Sequence, residues 1–180
     1  MSREQAIRQL IPVFRRYGYE GATLSRLSMA TGLGRSSLYH HFRGGKEEMA
    51  AAVLEYVGQW FETTILAALR TRDEPLERLR VMCENLNEFY QQGQENCLLN
   101  AITFGEGNDL FHRQIEQMLK IWLDELARLL LEAGIPAEIA KHRAQEAIIL
   151  IQGALVLARG LGNTAPFEEM IASLPERLLA

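Results

Sequence analysis

The sequence has few of the features that mark secreted, metal-binding or membrane proteins. Its 180 residues contain two cysteines, Cys83 and Cys97, which lie far apart and lack the spacing of a zinc site or a disulfide framework. The first ten residues are charged and amphipathic, so no signal peptide is expected. The most apolar run, Ala147–Ala158, is interrupted by Gln152 and is shorter than the roughly 20 residues that span a bilayer. These absences favour a cytoplasmic protein without a metal, a cofactor or a membrane partner.

Strand patterns are also nearly absent. Apolar residues recur three and four positions apart, which is typical of amphipathic helices. Glycines, prolines and capping residues divide the chain into nine predicted helices, three short ones followed by six longer ones. We therefore predict an all-α fold with an N-terminal head (residues 1–45) and a helical body (residues 46–180). No acid–base pair or activated nucleophile is recognisable, so an enzyme is not expected.

The boundaries of these helices follow from their capping residues. Ser2 and Gln5 have the spacing of a capping box, and the first helix is expected to stop at Gly18. Thr23 can cap a second helix that Gly32 ends, and a third covers residues 35–42. The body helices are predicted at residues 46–70, 74–92, 97–104, 108–134 (capped by Asn108), 136–160 and 166–178.

Positive charge is concentrated near the N-terminus. The formal net charge of the whole chain is −4, which by itself gives no sign of a nucleic-acid partner. Residues 1–50, however, hold eight Lys and Arg against four Asp and Glu, whereas residues 51–180 hold eleven against nineteen. A basic head on an acidic body is expected if only the head meets a polyanion.

The stretch TGLGRSSLYHHF (Thr31–Phe42) joins a glycine turn to a short helix with a polar outer face. A helical wheel places Leu38 and Phe42 on one side, and Ser36 and His40 on the other. Hydroxyl and imidazole groups on that outer side can bond to phosphate oxygens and base edges. A helix, a glycine turn and a second helix of this kind form a helix-turn-helix, whose second helix enters a major groove.

Other uses of this stretch fit less well. His40 and His41 are adjacent, so they point about 100° apart on a helix and cannot share a metal ion. The GLG segment is not followed by Lys-Ser or Lys-Thr and does not follow a strand, so it is not a phosphate loop. Taken without the motif, Tyr39 suits the rim of the core as well as a phosphate contact, and His41 lies nearer the inner side.

The longer stretch TLSRLSMATGLGRSSLYHHFRGGKEEM (Thr23–Met49) resembles the DNA-binding motif of the TetR/AcrR family of transcriptional regulators. The shared features are T-L at the start of the second helix, G-L at the turn, L-Y-H-H-F in the third helix and K-E-E in the fourth. The resemblance covers about residues 3–55, and its GGK form is similar to that of certain multidrug-responsive members. Ser28 replaces a usual alanine, Gly34 replaces a capping serine, and FRGGK is one residue longer than the common F-x-x-K.

The resemblance implies a dimeric repressor that binds a pseudo-palindromic, double-stranded DNA operator and is released by a small apolar or aromatic effector. It also implies which side chains contact DNA. Arg35 would read guanine, Ser36 and His40 would face bases, Ser37 would bond to a phosphate or a base, and the others would bond to phosphates. The complete set of expected contacts is Thr23, Arg35, Ser36, Ser37, Tyr39, His40, His41 and Lys46. A DNA-binding architectural or constitutive regulator without ligand control is the alternative.

An effector pocket in the body is a further implication of the resemblance. Its candidate residues are aromatic or flexible side chains from several helices, with one polar group among them: Trp60, Phe61, Phe89, Phe104, Met118, Trp122 and Gln152. Each of these side chains could equally fill an ordinary core.

A homodimer is expected because operators are usually read by dimers. The segment AIILIQGALVLA is apolar nearly all round, which predicts burial on both sides of its helix. With the last helix it would form a four-helix interface through Ile149, Gly153, Val156, Phe167, Met170 and Leu174. A monomer that uses both faces internally is the alternative.

Overall fold

The computed structural model describes residues 1–180, and all of their regular secondary structure is helical. The first four helices are α1 (Arg3–Gly21), α2 (Leu24–Thr31), α3 (Arg35–His41) and α4 (Gly45–Phe61). A π-helical segment (Glu62–Leu66) then precedes α5 (Pro75–Phe89), α6 (Leu98–Ile102), α7 (Gly105–Glu132), α8 (Ala137–Leu161) and α9 (Ala165–Leu179). The prediction of an all-α chain with nine α-helices is confirmed.

The chain folds as two compact units, and these differ from the head and body expected from the sequence. The first unit comprises residues 1–59 and 97–115, and the second comprises residues 60–96 and 116–180. The boundary expected after residue 45 therefore lies inside the first unit. The reason is that α6 packs against α1, so a segment from the middle of the chain belongs with its N-terminus.

Helix α1 begins where the sequence indicates and ends later. The capping box is present, since Ser2 Oγ accepts the Gln5 backbone N–H at 3.1 Å and Gln5 Oε1 accepts the Ser2 N–H at 2.8 Å. Gly18 has a φ of 64° and interrupts the helical geometry, but a further turn continues to Gly21. A glycine is needed at position 18 because a Cβ there would lie only 2.7 Å from the carbonyl oxygen of Ala101.

Helix α7 begins three residues before its predicted cap, Asn108. It starts at Gly105, and a carboxylate oxygen of Glu20 accepts the backbone N–H groups of Glu106 at 2.6 Å and Gly107 at 3.4 Å. The first N–H groups of a helix have no partner within the helix, so an acceptor at this position stabilises the end. The cap comes from a residue distant in the chain, which local sequence patterns cannot reveal.

In the second unit, α9 packs against both α5 and α8. The helix predicted at residues 46–70 is interrupted by the π-helical segment, where the Asn85 amide donates to the Thr64 carbonyl at 3.1 Å. Nearby, the buried Arg78 guanidinium donates through Nε to the Leu69 carbonyl at 2.9 Å and through Nη1 to a Glu132 carboxylate at 2.7 Å. A buried guanidinium is tolerated when it is paired in this way.

Candidate DNA-binding surface and effector region

Helices α2 and α3 are held together by a small apolar patch. The side chains of Leu27, Leu38 and Phe42 are fully buried. Leu38 and Phe42 are four positions apart, so they face the same direction and fix the rotation of α3 about its axis. Gly32 ends α2 with a φ of 65°, as the sequence predicts. The opposite side of α3 therefore faces solvent.

Most of the predicted DNA contacts lie on that exposed side. The five residues of α3 whose side chains are exposed are Arg35, Ser36, Ser37, Tyr39 and His40. Tyr39 is 44% exposed, and one edge of its ring lies close to Gly45. His41 is half-buried and nearer the core, as the helical wheel indicates.

Thr23 has a structural role at the start of α2. Its hydroxyl oxygen accepts the Arg26 backbone N–H at 3.3 Å, which makes it the N-cap that the sequence predicts. The side chain is exposed, so its O–H group is free to donate a hydrogen bond to a phosphate.

The turn between α2 and α3 is fixed by hydroxyl groups that the sequence analysis did not single out as turn contacts. Gly34 is the N-cap of α3 and supplies no side-chain bond. The Ser28 hydroxyl donates to the Leu33 carbonyl at 2.5 Å, and Thr31 Oγ1 accepts the Leu33 N–H at 3.3 Å. Ser28, which departs from the family pattern, thus stabilises the turn at the point where the usual cap on α3 is missing.

The turn between α3 and α4 is closed by Glu48. Its carboxylate accepts the Gly44 N–H at 2.7 Å and bonds to Arg3 at 3.3 Å, and the Arg3 guanidinium lies 5.0 Å from the centre of the Phe42 ring. The Gly44 bond is the main reason that the pKa of the Glu48 carboxyl is lowered, and Arg3 adds to it against the opposing effect of burial. This arrangement holds α1, α3 and α4 together.

Lys46 is engaged within the chain. Its Nζ donates to the Tyr19 carbonyl at 3.1 Å and lies 4.0 Å from the centre of the Tyr19 ring. Burial raises the pKa of the Tyr19 phenol, and the carboxylates of Glu106, Glu47 and Glu20 raise it further. The half-buried Lys46 ammonium therefore lies in an acidic environment, which does not resemble an open phosphate site.

Four of the predicted pocket residues form a continuous aromatic cluster, which we define as Trp60, Phe61, Phe89 and Trp122. Trp60 stacks on Phe89 with ring centres 4.9 Å apart, and Phe61 meets Trp122 edge to face, also at 4.9 Å. Phe61 and Phe89 are 6.1 Å apart. The cluster joins a partly exposed ring, Trp60, to a ring that is only 2% exposed, Trp122.

Three buried polar atoms in the second unit have no hydrogen-bond partner within the chain. They are the Trp122 indole nitrogen and the side-chain oxygens of Gln152 and Asn87. Leaving such an atom buried and unpaired costs about 1–3 kcal/mol. The three atoms therefore offer one donor and two acceptors that the fold does not use.

The two remaining pocket candidates lie elsewhere. Met118 is half-buried on α7. Phe104, just before α7, is 67% exposed, so it does not form the wall of an enclosed cavity. Phe104 is exposed because it lies in a bend between α6 and α7.

A groove of about 360 Å³ lies between α5 and α9. Its walls carry residues at helical spacing from both helices, together with one from the turn after α5: Arg80, Cys83, Glu84, Asn87, Gln92, Glu168, Ile171, Ala172 and Pro175. Burial raises the pKa of the Cys83 thiol to about 12, so this cysteine is not a reactive thiolate at neutral pH. None of the seven predicted pocket residues lines this groove.

Helix α8 leaves one apolar side uncovered. Ile149 is 60% exposed and Val156 is 58% exposed, and a Cβ built on Gly153 would meet no atom within 4 Å. These residues are four and three positions apart, so they form one stripe on the helix. We call the stripe of Ile149, Gly153 and Val156 the α8 face.

Helix α8 is also long and apolar enough to cross a membrane, a property that the core helices of soluble proteins share.

The α9 residues expected in the dimer interface are instead part of the chain's own core. Phe167 and Leu174 are fully buried, and Met170 is almost so. They lie on the side of α9 that the chain covers itself, since α9 packs between α5 and α8. We therefore correct the expectation that these three side chains form a surface for a second copy.

Together, the exposed α3, the fixed turn and the helical second unit define a helix-turn-helix DNA-binding protein. The model for bacterial regulatory proteins of the tetR family matches residues 9–53. The model for the C-terminal domain of LmrA/YxaF-like transcriptional regulators matches residues 75–173. The chain belongs to the TetR family of transcriptional regulators, with an LmrA/YxaF-like C-terminal domain.

Individual relatives agree with this assignment. The chain is 23% identical to the HTH-type transcriptional regulator LmrA of Bacillus subtilis, in an alignment of 182 positions that covers 98% of this chain and 96% of that protein. A segment of 52 residues, 29% of this chain, is 42% identical to the HTH-type transcriptional repressor AcnR of Corynebacterium efficiens. A TetR transcriptional regulator from Legionella pneumophila has a similar crystal structure, with a TM-score of 0.85 and 17% identity over 98% of this chain and 97% of that one.

We predict that Ser28→Ala lowers the free energy of unfolding by about 0.5–1.5 kcal/mol relative to Ser25→Ala, because Ser28, unlike Ser25, bonds to the turn. Both changes place an alanine in α2, so their helix-propensity effects are matched. Urea denaturation followed by circular dichroism measures the difference. Equal stability of the two variants would show that the Ser28 bond does not hold the turn.

Proposed function

We propose that this TetR-family regulator is a cytoplasmic, dimeric repressor that reads a pseudo-palindromic operator through α3 and leaves it when a small apolar or aromatic ligand binds the second unit. The observation that carries the proposal is the exposed polar side of α3, with buried Leu38 and Phe42 opposite it. This helix lies in the basic part of an otherwise acidic chain. The similarity to relatives named as a regulator and a repressor supports it.

In the proposed complex, α3 lies in the major groove. The Arg35 guanidinium can bond to a guanine edge, and Ser36 and His40, the residues farthest from the core, face other bases. Ser37 and Tyr39 lie beside them and reach phosphates, as does Thr23 at the start of α2. His41 would contact the backbone only from the edge of the surface, because it is half-buried.

The proposed dimer forms through the α8 face. An exposed apolar stripe on an otherwise polar surface is typical of a protein contact site. Gly153 would allow two α8 helices to approach closely, since no atom of its own chain occupies the space above it. A two-fold axis here gives two α3 helices per dimer, which can read half-sites one helical turn, about 34–36 Å, apart or a multiple of that distance.

The proposed effector site is the aromatic cluster. A planar ligand can replace the stacking between Trp60 and Phe89 with contacts of its own. A ligand acceptor could pair with the Trp122 indole N–H of the cluster, which is unpaired in the free chain. Such pairing favours binding because it removes the cost of a buried, unsatisfied group. Aromatic effectors of this kind would agree with the multidrug-responsive form of the sequence motif.

Release from DNA follows as a shift between two arrangements of the dimer. A ligand can favour an arrangement with α3 out of register only if it binds that arrangement more tightly than the DNA-bound one. A change from about 99:1 to 1:99 requires roughly a 10⁴-fold difference in affinity. Equal affinity for both would change nothing.

We predict that His40→Ala weakens specific operator binding by about 1–3 kcal/mol, roughly 5- to 150-fold, because one base contact is lost. Binding to a shuffled duplex of equal composition should change little. His112→Ala, an exposed histidine of α7, is the matched control and should leave both affinities unchanged. Fluorescence anisotropy of labelled DNA measures them. An equal loss on both duplexes in His40→Ala would contradict a base contact.

We predict that Val156→Glu converts the dimer to a monomer, because two carboxylates would face each other in an apolar interface. The control is Leu131→Glu, which places the same charge on an exposed leucine of α7. Sedimentation velocity measures the mass of each variant. A Val156→Glu protein that remains dimeric would place the interface elsewhere.

Both tryptophans of the chain belong to the aromatic cluster, so tryptophan fluorescence, excited selectively over that of the tyrosines, reports on this site. We predict that planar aromatic compounds which release the protein from DNA also quench this fluorescence. Trp122→Phe should weaken their binding about 5- to 10-fold, since it keeps an aromatic ring but removes the N–H donor together with the five-membered ring of the indole. Release from DNA with unaltered tryptophan fluorescence would place the effector in another site, such as the groove between α5 and α9. The absence of any releasing compound would favour a regulator without ligand control.

A further inference from the structure

The end of α1 is a meeting point for three segments of the first compact unit. Gly18 breaks the helix, and the residues after it, Tyr19 and Glu20, form what we call the α1 corner. Tyr19 is buried, and its ring meets the Phe111 ring of α7 edge to face, with centres 5.6 Å apart. Gly107 lies against the same residue, since a Cβ there would be 2.8 Å from Tyr19 Cβ.

Helix α4 is attached to the corner by Lys46. This residue lies in the first turn of α4, directly after the turn that follows α3. Its ammonium group donates to the Tyr19 carbonyl at 3.1 Å and lies 4.0 Å from the centre of the ring. A cation above an aromatic ring is attracted to it, and the hydrogen bond adds to this attraction. Lys46 thus links the start of α4, and through it the position of α3, to the corner.

Helix α7 is attached to the corner by Glu20. The carboxylate accepts the N–H groups of Glu106 at 2.6 Å and Gly107 at 3.4 Å, so it caps a helix of 28 residues. The pKa of the Glu20 carboxyl is lowered mainly by backbone N–H groups, first its own and then those of Glu106 and Gly107, and the Lys46 ammonium adds the smallest contribution. Adjacent residues of α1 therefore hold the first turns of α4 and α7.

We propose that Lys46 and Glu20 are positioning residues that set the angle of the recognition helix relative to the start of α7. Lys46 does so in place of the phosphate contact that its motif implies, because its ammonium faces the corner. This role rests on the proposed DNA-binding function, and it gives a change at the start of α7 a direct route to α3.

The salt dependence of DNA binding separates this role from a phosphate contact. We expect Lys46→Met to weaken operator binding about tenfold at every salt concentration without changing the slope of log K against log[salt]. Loss of a phosphate contact would instead reduce the magnitude of that slope by about 0.9 and would overturn the proposal for Lys46.

Substitution of Glu20 tests the proposal with an effect on DNA affinity that is opposite to the one expected from charge alone. Removing a negative charge raises affinity for DNA if charge alone matters, whereas we expect Glu20→Ala to lower it about fivefold. Glu20→Gln, which keeps an acceptor oxygen, should recover most of the loss. Glu106→Ala removes the same charge beside the cap without removing the acceptor and is the matched control. Unchanged or tighter binding by Glu20→Ala would overturn the proposal.

Hydrogen–deuterium exchange of the free protein tests the corner independently of DNA. In Glu20→Ala we expect faster exchange at the start of α7 and also in residues 35–44, with which Glu20 makes no hydrogen bond or ion pair. Faster exchange at α7 alone would show that the corner transmits nothing and would refute the proposal. Absence of specific DNA binding by the unaltered protein would instead count against the proposed function, with the exchange result still deciding the role of the corner.

Discussion

Two buried side chains, one on a very short helix and one directly after it, determine which side of α3 faces solvent. Leu38 and Phe42 are fully buried, and α3 is only seven residues long, so these two contacts fix its rotation. The other side chains of α3, except that of the half-buried His41, are then directed to solvent by helix geometry. Around this pair, Ser28 and Thr31 fix the preceding turn, and Glu48 fixes the following one. The polar surface thus depends on apolar contacts beneath it.

The sequence is informative wherever the determining residues are close together in the chain. The capping box of Ser2, the N-cap of Thr23 and the left-handed Gly32 all depend on residues within four positions, and all three are present. The start of α7 could not be predicted, because its cap is Glu20 of α1. The π-helical segment could not be predicted either, since Asn85, which bonds to it, lies on another helix.

Side-chain roles follow the same rule. The outward residues of α3 follow from periodicity, whereas the engagement of Lys46 depends on Tyr19, 27 positions away. The α9 residues Phe167 and Leu174 have the pattern of any amphipathic helix, and periodicity cannot tell whether their apolar side meets another copy or their own chain. The structure answers this by covering α9 with α5 and α8 while leaving Ile149 and Val156 of α8 exposed.

Recognition of one DNA sequence by this chain can be tested by an anisotropy titration of labelled DNA from the region around the protein's own gene. The comparison is a shuffled duplex of equal composition, at several salt concentrations. We expect binding to the native fragment at least about 10³-fold tighter than to the shuffled one, with affinity falling steeply as salt rises. Equal affinity for the two duplexes, or no salt dependence, would contradict it.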